Sequence, residues 1–318
     1  MNNLDIRDFI DKNYSHFNAG ELRNCVQSLD DFLNKGGKLL LTLAGALSTA
    51  EIGKTLAPAI RSGLVHAISC TGANLEEDLF NLVAHNKYKK INWRNITAED
   101  DLNLFKEGFN RVTDTCIPEQ DAVRYIEKKI SKQWLDAQKN NEQNPPHEYI
   151  FKLLESNKLN YQINENESWL LAAKEMNIPI FTPGWADSTL GNIFSSKLIT
   201  GEIHNDNLIT TDLKRMKDLA KWYCEQNSPI GILQVGGGIA GDFPICVVPM
   251  LKQDLGEEVN LWSWFGQISD SHASYGGYSG APPNEKISWG KLDIDTPKFV
   301  IESDATIVLP LILTYLLN

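Results

Sequence analysis

Apolar residues in this chain fall into short unbroken runs, separated by longer stretches where they recur at helical spacing. The runs Leu39 to Leu43, Leu64 to Cys70, Ile178 to Phe181 and Ile230 to Val235 read as strands buried on both faces, which is how parallel strands appear in sequence. Each is followed by small or turn residues and then a helical pattern. The expectation is an α/β fold: a Rossmann-like, mostly parallel sheet with helices on both faces. Residues 1–35 predict two amphipathic N-terminal helices, the second opened by Asn18-Ala-Gly-Glu21 at capping-box spacing. Residues 86–165 turn polar and predict a helical insertion with an exposed turn from Lys139 to Pro146, not a linker. The 318 residues are therefore expected to form a single domain. Trp262 and Trp264, two apart on one face of a strand, are expected in the core.

Composition narrows the class. With 42% hydrophobic and 22% charged residues the chain can bury a substantial core. A formal net charge of −11 argues against a nucleic-acid partner and mildly favours a cationic ligand. No apolar run is long enough for a membrane span, and Met1-Asn-Asn-Leu-Asp lacks a secretory pattern, so no membrane association and a cytoplasmic location are expected. The five cysteines include no Cys-x-x-Cys pair and read as ordinary buried thiols, not disulfides or a zinc site. The six histidines show no metal-ligand spacing, and no metal is expected.

The candidate chemistry lies in the loops after the strands, where ligands bind in open α/β sheets. They carry Ala44-Gly-Ala-Leu-Ser-Thr49, Thr71-Gly-Ala-Asn-Leu-Glu-Glu-Asp78, Thr182-Pro-Gly-Trp-Ala-Asp187 and Gly236-Gly-Gly-Ile-Ala-Gly241. The last satisfies G-x-G-x-x-G, with Asp254, Glu257 and Glu258 about where a ribose-binding acid belongs. It lies late in the chain, and Pro244 is expected to allow only one helical turn, so a nucleotide loop and a plain tight turn both remain open. Asp187 and Asp304 follow strand-like runs as possible helix caps, and Glu76-Glu77-Asp78 opens a helix, where stability alone favours acids. Asn284-Glu-Lys-Ile-Ser-Trp-Gly-Lys291 sets Lys291 behind a Trp-Gly pair, downstream of Glu285. A lysine held beside an indole in a dry pocket has its ammonium disfavoured, and a neutral amine attacks carbonyl or imine carbon. Glu285 is suited to pair with an ammonium group, and Trp289 to lie against an alkyl or cationic substrate.

In order and spacing these segments resemble the deoxyhypusine synthase family. Thr71 to Asp78 is similar to its Thr-small-Gly-Gly-Val-Glu-Glu-Asp loop, and Asn177 to Gly191 to its Asn-Ile-Pro-Val-Phe-x-Pro and Asp-Gly-Ser-Leu-Gly segments. Gly236-Gly-Gly238, Ser279-Gly-Ala-x-Pro-x-Glu285-x-x-Ser-Trp-Gly-Lys291 and Asp304-Ala305 fit the remainder. The resemblance implies NAD-dependent transfer of a 4-aminobutyl group from spermidine, through an imine on an enzyme lysine, to an acceptor amine, either a protein lysine or a diamine. It implies Lys291 as nucleophile, with Glu76, Asn192, Asp242, Tyr278, Glu285 and Trp289 at the polyamine. It places Thr49, Thr71, Gly72, Ala73, Glu77, Asp187, Gly236, Gly237, Gly238, Asp270, Ser279, Asp304 and Ala305 along NAD. A homotetramer with interfacial active sites is implied as well. The chain departs from the family at Asn192 (an aspartate there), Asp242 (a histidine), Tyr278 and Tyr275 (aspartates) and Ala46 (an asparagine). These changes bear more on the substrate than on the cofactor. Transfer to putrescine, a different NAD-dependent amine oxidation and a non-catalytic NAD-binding scaffold are the alternatives.

Overall fold

The computed structural model describes residues 5–156 and 159–318. Its centre is a sheet of six strands: β1 (Lys38–Leu43), β2 (Ala67–Cys70), β3 (Ile180–Phe181), β4 (Ile230–Val235), β5 (Trp264–Ser269) and β6 (Lys298–Glu302). All neighbours pair in parallel, in the spatial order β3-β2-β1-β4-β5-β6. Side chains alternate between the faces, as the pleat requires. Leu39, Leu41, Leu43, Leu233, Val235, Trp264 and Ile268 join one apolar cluster, while Leu40, Ile230, Ile232 and Phe265 join another. Helices α1 (Ile6–Asn13), α2 (Phe17–Asn34), α3 (Gly53–Arg61) and α4 (Gly72–Ala84) contribute Ile10, Val26, Leu56 and Leu75 to the first cluster. Trp262 and Trp264 are fully buried, as expected of core residues, but they do not share a face of one strand: Trp262 precedes β5 and joins the second cluster, whereas Trp264 joins the first.

Three readings of the sequence are corrected. The insertion is not wholly helical. Besides α5 (Ala98–Lys106), α6 (Tyr125–Asn140) and α7 (Pro146–Glu155) it holds an antiparallel sheet of Lys89–Lys90, Phe109–Val112 and Thr115–Pro118. The turn near Pro146 is tied down, because Asn144 exchanges backbone bonds with Leu208 and Thr210. Second, α2 starts one residue before Asn18, and no capping box forms. Asn18 instead bonds the N–H and carbonyl of Glu302, and Glu21 accepts from the N–H of Val300. Two side chains one helical turn apart thus satisfy the outer backbone of strand β6, which has no neighbour on that side.

Third, Pro244 does not stop the helix after one turn. Helices α8 (Trp169–Glu175), α9 (Thr189–Thr200) and α10 (Asp212–Cys224) precede α11 (Ile239–Ile245), which includes Pro244. A proline leaves the carbonyl four residues back without its helical donor. That carbonyl, on Ala240, accepts from the Ser69 hydroxyl at 2.7 Å, so strand β2 supplies the missing donor. The chain closes with α12 (Ala305–Leu317).

Candidate active site

The strand order reverses direction between β1 and β4, and a crevice of about 430 Å³ opens at their carboxyl ends. Ala44, Gly45, Ala46 and Gly236 form its floor, with Ser269, Asp270, Ser303, Asp304 and Ala305 on the far wall. The floor residues carry one side-chain carbon or none, so backbone is left open to close approach. Gly236 and Gly238 have φ of +79° and +66°, and a Cβ on Gly237 would lie 1.5 Å from Ser279 Oγ. This run must therefore be glycine for the turn and for the segment lying against it. Asp304 caps α12 through Oδ1, as expected of it, and also faces the crevice. Asp187 caps nothing. The cap of α9 is Ser188, and Asp187 lies exposed in the preceding turn. Asp254 does not serve the crevice either, since it lines the cavity of Lys291.

Thr71 caps α4 and donates to the Gly45 carbonyl at 2.8 Å, while the buried Asn74 amide donates to the carbonyls of Leu43, Ala44 and Gly45. Together they fix the loop after β1. Glu76, Glu77 and Asp78 are not in the first turn of α4, so its own positive end does not explain them. Two of them serve other helices. Glu76 accepts from the N–H of Thr189 and Leu190 at the start of α9, and Asp78 from Ser168 Oγ and Leu170 N–H at the start of α8. Burial pushes Asp78 up to about 6 and raises Glu76. Glu77 differs: it is 8% exposed, its Oε2 has no partner, and burial raises it to about 7. The Thr49 hydroxyl and N–H stand beside the Glu77 carboxyl and partly offset that rise, and the Tyr88 hydroxyl nearby is buried without a partner. Glu76 and Glu77 border a cavity of about 410 Å³ walled by Phe80, Phe105, Phe109, Glu119 and Arg124.

Lys291 lies in a third cavity, of about 580 Å³, against α10 and α11. A short helix, Glu285–Ser288, ends at Trp289, and Gly290 with φ +67° turns the chain so that Lys291 N–H bonds the Lys286 carbonyl. The Lys291 carbonyl accepts from Trp262 N–H, which ties the segment to the sheet. Lys291 is 8% exposed; its Nζ stands 3.7 Å from Asp242 Oδ1 and 5.9 Å from the Trp289 ring centre. Trp289, 67% exposed, is the outer wall. The cavity thus joins Asp242, Glu285, Trp289 and Lys291, and adds three titratable residues that sequence reasoning missed for this site: Cys246, Asp254 and Lys286. Cys246 is not the ordinary buried thiol that the sequence leads one to expect: it is half-buried and donates to Asp242 at 3.6 Å; Cys224 is exposed. Lys286 stands inside the motif itself, flanked by the residues that drew notice.

The remaining candidates lie elsewhere. Asn192, exposed, donates to the carbonyls of Ala186 and Ser188, and Gly72 and Ala73 form the first turn of α4. The side chain of Tyr278 is outside the described residues. Crevice, Glu77 cavity and Lys291 cavity share no lining residue. Among the described residues no cluster of three or more His, Cys, Asp or Glu is placed to hold a metal, and no helix is long and apolar enough to cross a membrane.

Comparison with known proteins adds the relationships. The family profile of deoxyhypusine synthase matches residues 11–316. A deoxyhypusine synthase-like protein of Nostoc punctiforme is 31% identical over 333 residues, spanning 100% of this chain and 81% of that protein. A protein named "Probable deoxyhypusine synthase 1" of Archaeoglobus fulgidus is 27% identical, spanning 95% of this chain and 90% of its own. A solved structure assigned as a deoxyhypusine synthase, from Entamoeba histolytica, superposes with a TM-score of 0.59 over 98% of this chain and 93% of its own at 13% identity, a likeness of fold.

Proposed function

The chain belongs to the deoxyhypusine synthase family, and from that premise we propose that it is an NAD-dependent transferase moving a 4-aminobutyl group from spermidine, through an imine on Lys291, to an acceptor amine. The observation that carries this reading is the buried Lys291 amine, walled by Trp289 and faced by Asp242 in a cavity that also presents Glu285 and Asp254.

The crevice suits the cofactor. Its small-residue floor leaves backbone open to a pyrophosphate, and Asp270 and Asp304 are acids at strand ends, where ribose hydroxyls are recognised. NAD, when bound, supplies the acceptor for a hydride and the store that returns it. The chain's own residues do the rest. Glu285 and Asp254 draw in the ammonium groups of the donor, and Trp289 lies along its alkyl chain. Once the carbon beside the secondary nitrogen of spermidine is at the imine level, the Lys291 amine adds to it and the bond to 1,3-diaminopropane breaks, that nitrogen taking a proton. Asp242 holds the Lys291 head in place and accepts the proton it sheds on attack. The acceptor amine then displaces Lys291, and the new imine is reduced.

Separation of Glu76 and Glu77 from Lys291 within one chain supports a site completed by a second copy, in keeping with a homotetramer having interfacial active sites. The test is chromatographic detection of 1,3-diaminopropane from spermidine and NAD. Release that disappears in Lys291→Ala while NAD affinity stays within a few fold is expected. Release that survives the substitution would remove Lys291 from the mechanism, and no release from protein that binds NAD would favour oxidation of a different amine.

A further inference from the structure

The floor of the crevice is shaped from beneath by one side chain. Asn74, on α4 and fully buried, donates through Nδ2 to the carbonyls of Leu43 at 3.1 Å and of Ala44 and Gly45 at 3.0 Å, and to Thr71 Oγ1 at 2.9 Å. Its Oδ1 accepts from the N–H of Ser48 at 2.9 Å. Three carbonyls on one side admit only a donor there, so the orientation of the amide is fixed. Ser48 Oγ donates to the Asn74 carbonyl at 2.7 Å and accepts from Trp169 Nε1 at 2.9 Å, which anchors the far end of the loop.

A planar trans peptide unit points its carbonyl and the following N–H in opposite directions. With the carbonyls of Leu43, Ala44 and Gly45 held toward Asn74, the N–H groups of Ala44, Gly45 and Ala46 face away from it. The first runs to the Val235 carbonyl on β4 at 3.0 Å. The other two belong to residues that line the crevice, and neither has a hydrogen-bond partner among the described residues. Gly45 has φ of +58°, and a Cβ there would meet open space. Successive N–H groups at such a turn form a concave anion site. In the family's pattern Asn74 stands at the second glycine of Thr-small-Gly-Gly-Val, and Ala46 stands at an asparagine. The amide missing from the rim of the crevice thus reappears beneath its floor.

We propose that Asn74 is the positioning residue for the pyrophosphate of the cofactor: it turns the N–H groups of Gly45 and Ala46 into the crevice, where they donate to one phosphate group. The proposal rests on the crevice being the NAD site, and not on the transfer chemistry. Asn74 is not among the walls of the crevice and acts only through the backbone it holds. The side chains of Ala44, Gly45 and Ala46 offer no donor, so main-chain N–H groups are what this loop can present to an anion.

The test titrates ADP-ribose, which carries the pyrophosphate, and adenosine, which lacks it, by calorimetry. Asn74→Leu keeps the branched shape and removes the donor. NAD and ADP-ribose are expected to bind this variant about tenfold to a hundredfold more weakly, the loss of one or two charge-assisted bonds, while adenosine stays within about twofold. A variant weakened as much for adenosine as for ADP-ribose makes Asn74 a structural residue only and overturns the proposal. Hydrogen exchange on the wild type needs no variant, and decides if Asn74→Leu does not fold. ADP-ribose should slow exchange at the Gly45 and Ala46 amides by about tenfold or more, and adenosine should not. No slowing at these two amides refutes the phosphate contact. If the wild type binds neither NAD nor ADP-ribose, the cofactor reading of the crevice falls and this proposal with it. If it binds both and Asn74→Leu binds them equally well, this proposal alone falls.

Discussion

Replacing Glu77 by Gln should stabilise the protein, by an amount that depends on pH. Glu77 is buried with an unmatched carboxylate oxygen, and burial chiefly, with the neighbouring Glu76 charge adding to it, raises the carboxyl from 4.5 to about 7. The folded chain therefore holds this proton more tightly than the unfolded chain. The group's contribution to stability is complete below about pH 4.5 and is lost as pH rises through about 7. A rise of that size corresponds to about 3 kcal/mol once both states are ionised. Glutamine does not titrate, and its amide keeps the shape. Wild type and Glu77→Gln should match near pH 4.5, and the variant should lead by about 3 kcal/mol at pH 8, moving the urea midpoint by about 1 M. Equilibrium unfolding followed by tryptophan fluorescence at four pH values from 4.5 to 8 measures this. A difference that does not change with pH, or a variant no more stable at pH 8, would refute the reasoning. Stability gained together with transferase activity lost would mark Glu77 as a carboxylate kept for its ligand.

Two further outcomes follow from the geometry. Gly237→Ala should weaken NAD binding by about tenfold to a hundredfold, because the added Cβ meets Ser279; adding Ser279→Gly should restore part of it, and no recovery in a fluorescence titration would rule out that contact as the cause. Asn18→Ala combined with Glu21→Ala should cost about 2 to 3 kcal/mol by leaving backbone groups of β6 unmatched. Native-state hydrogen exchange should then show Val300 and Glu302 losing protection before the central strands, and unchanged protection would refute the role given to α2.

What could be read from the sequence follows from how residues are buried. Strands β1, β2 and β4 are enclosed on both faces and so spell continuous apolar runs. The strands of the insertion, with Lys89 and Lys90 exposed, carry no such signal. The site motif was legible at Glu285, Trp289 and Lys291 because an indole beside a lysine suggests chemistry. Lys286 was not, since a lysine next to a glutamate looks like any surface charge until the fold buries it. Pro244 misled for a similar reason. Its local effect is to end a helix, and the donor that compensates, Ser69, lies on a strand far away in sequence. Glu76 and Asp78 stood in an acidic run that local rules assign to their own helix, whereas they serve the starts of α9 and α8.

The attachment of α2 to strand β6 reaches beyond the monomer. One border of the sheet ends in β3, two residues long, and at the other Asn18 and Glu21 occupy backbone positions that a visiting strand would use. Neither border of this six-stranded sheet is a ready template for strand addition, so copies of the chain are not expected to associate by extending it. Proteolytic removal of the first two helices is expected to expose the β6 border and leave the sheet prone to open-ended growth.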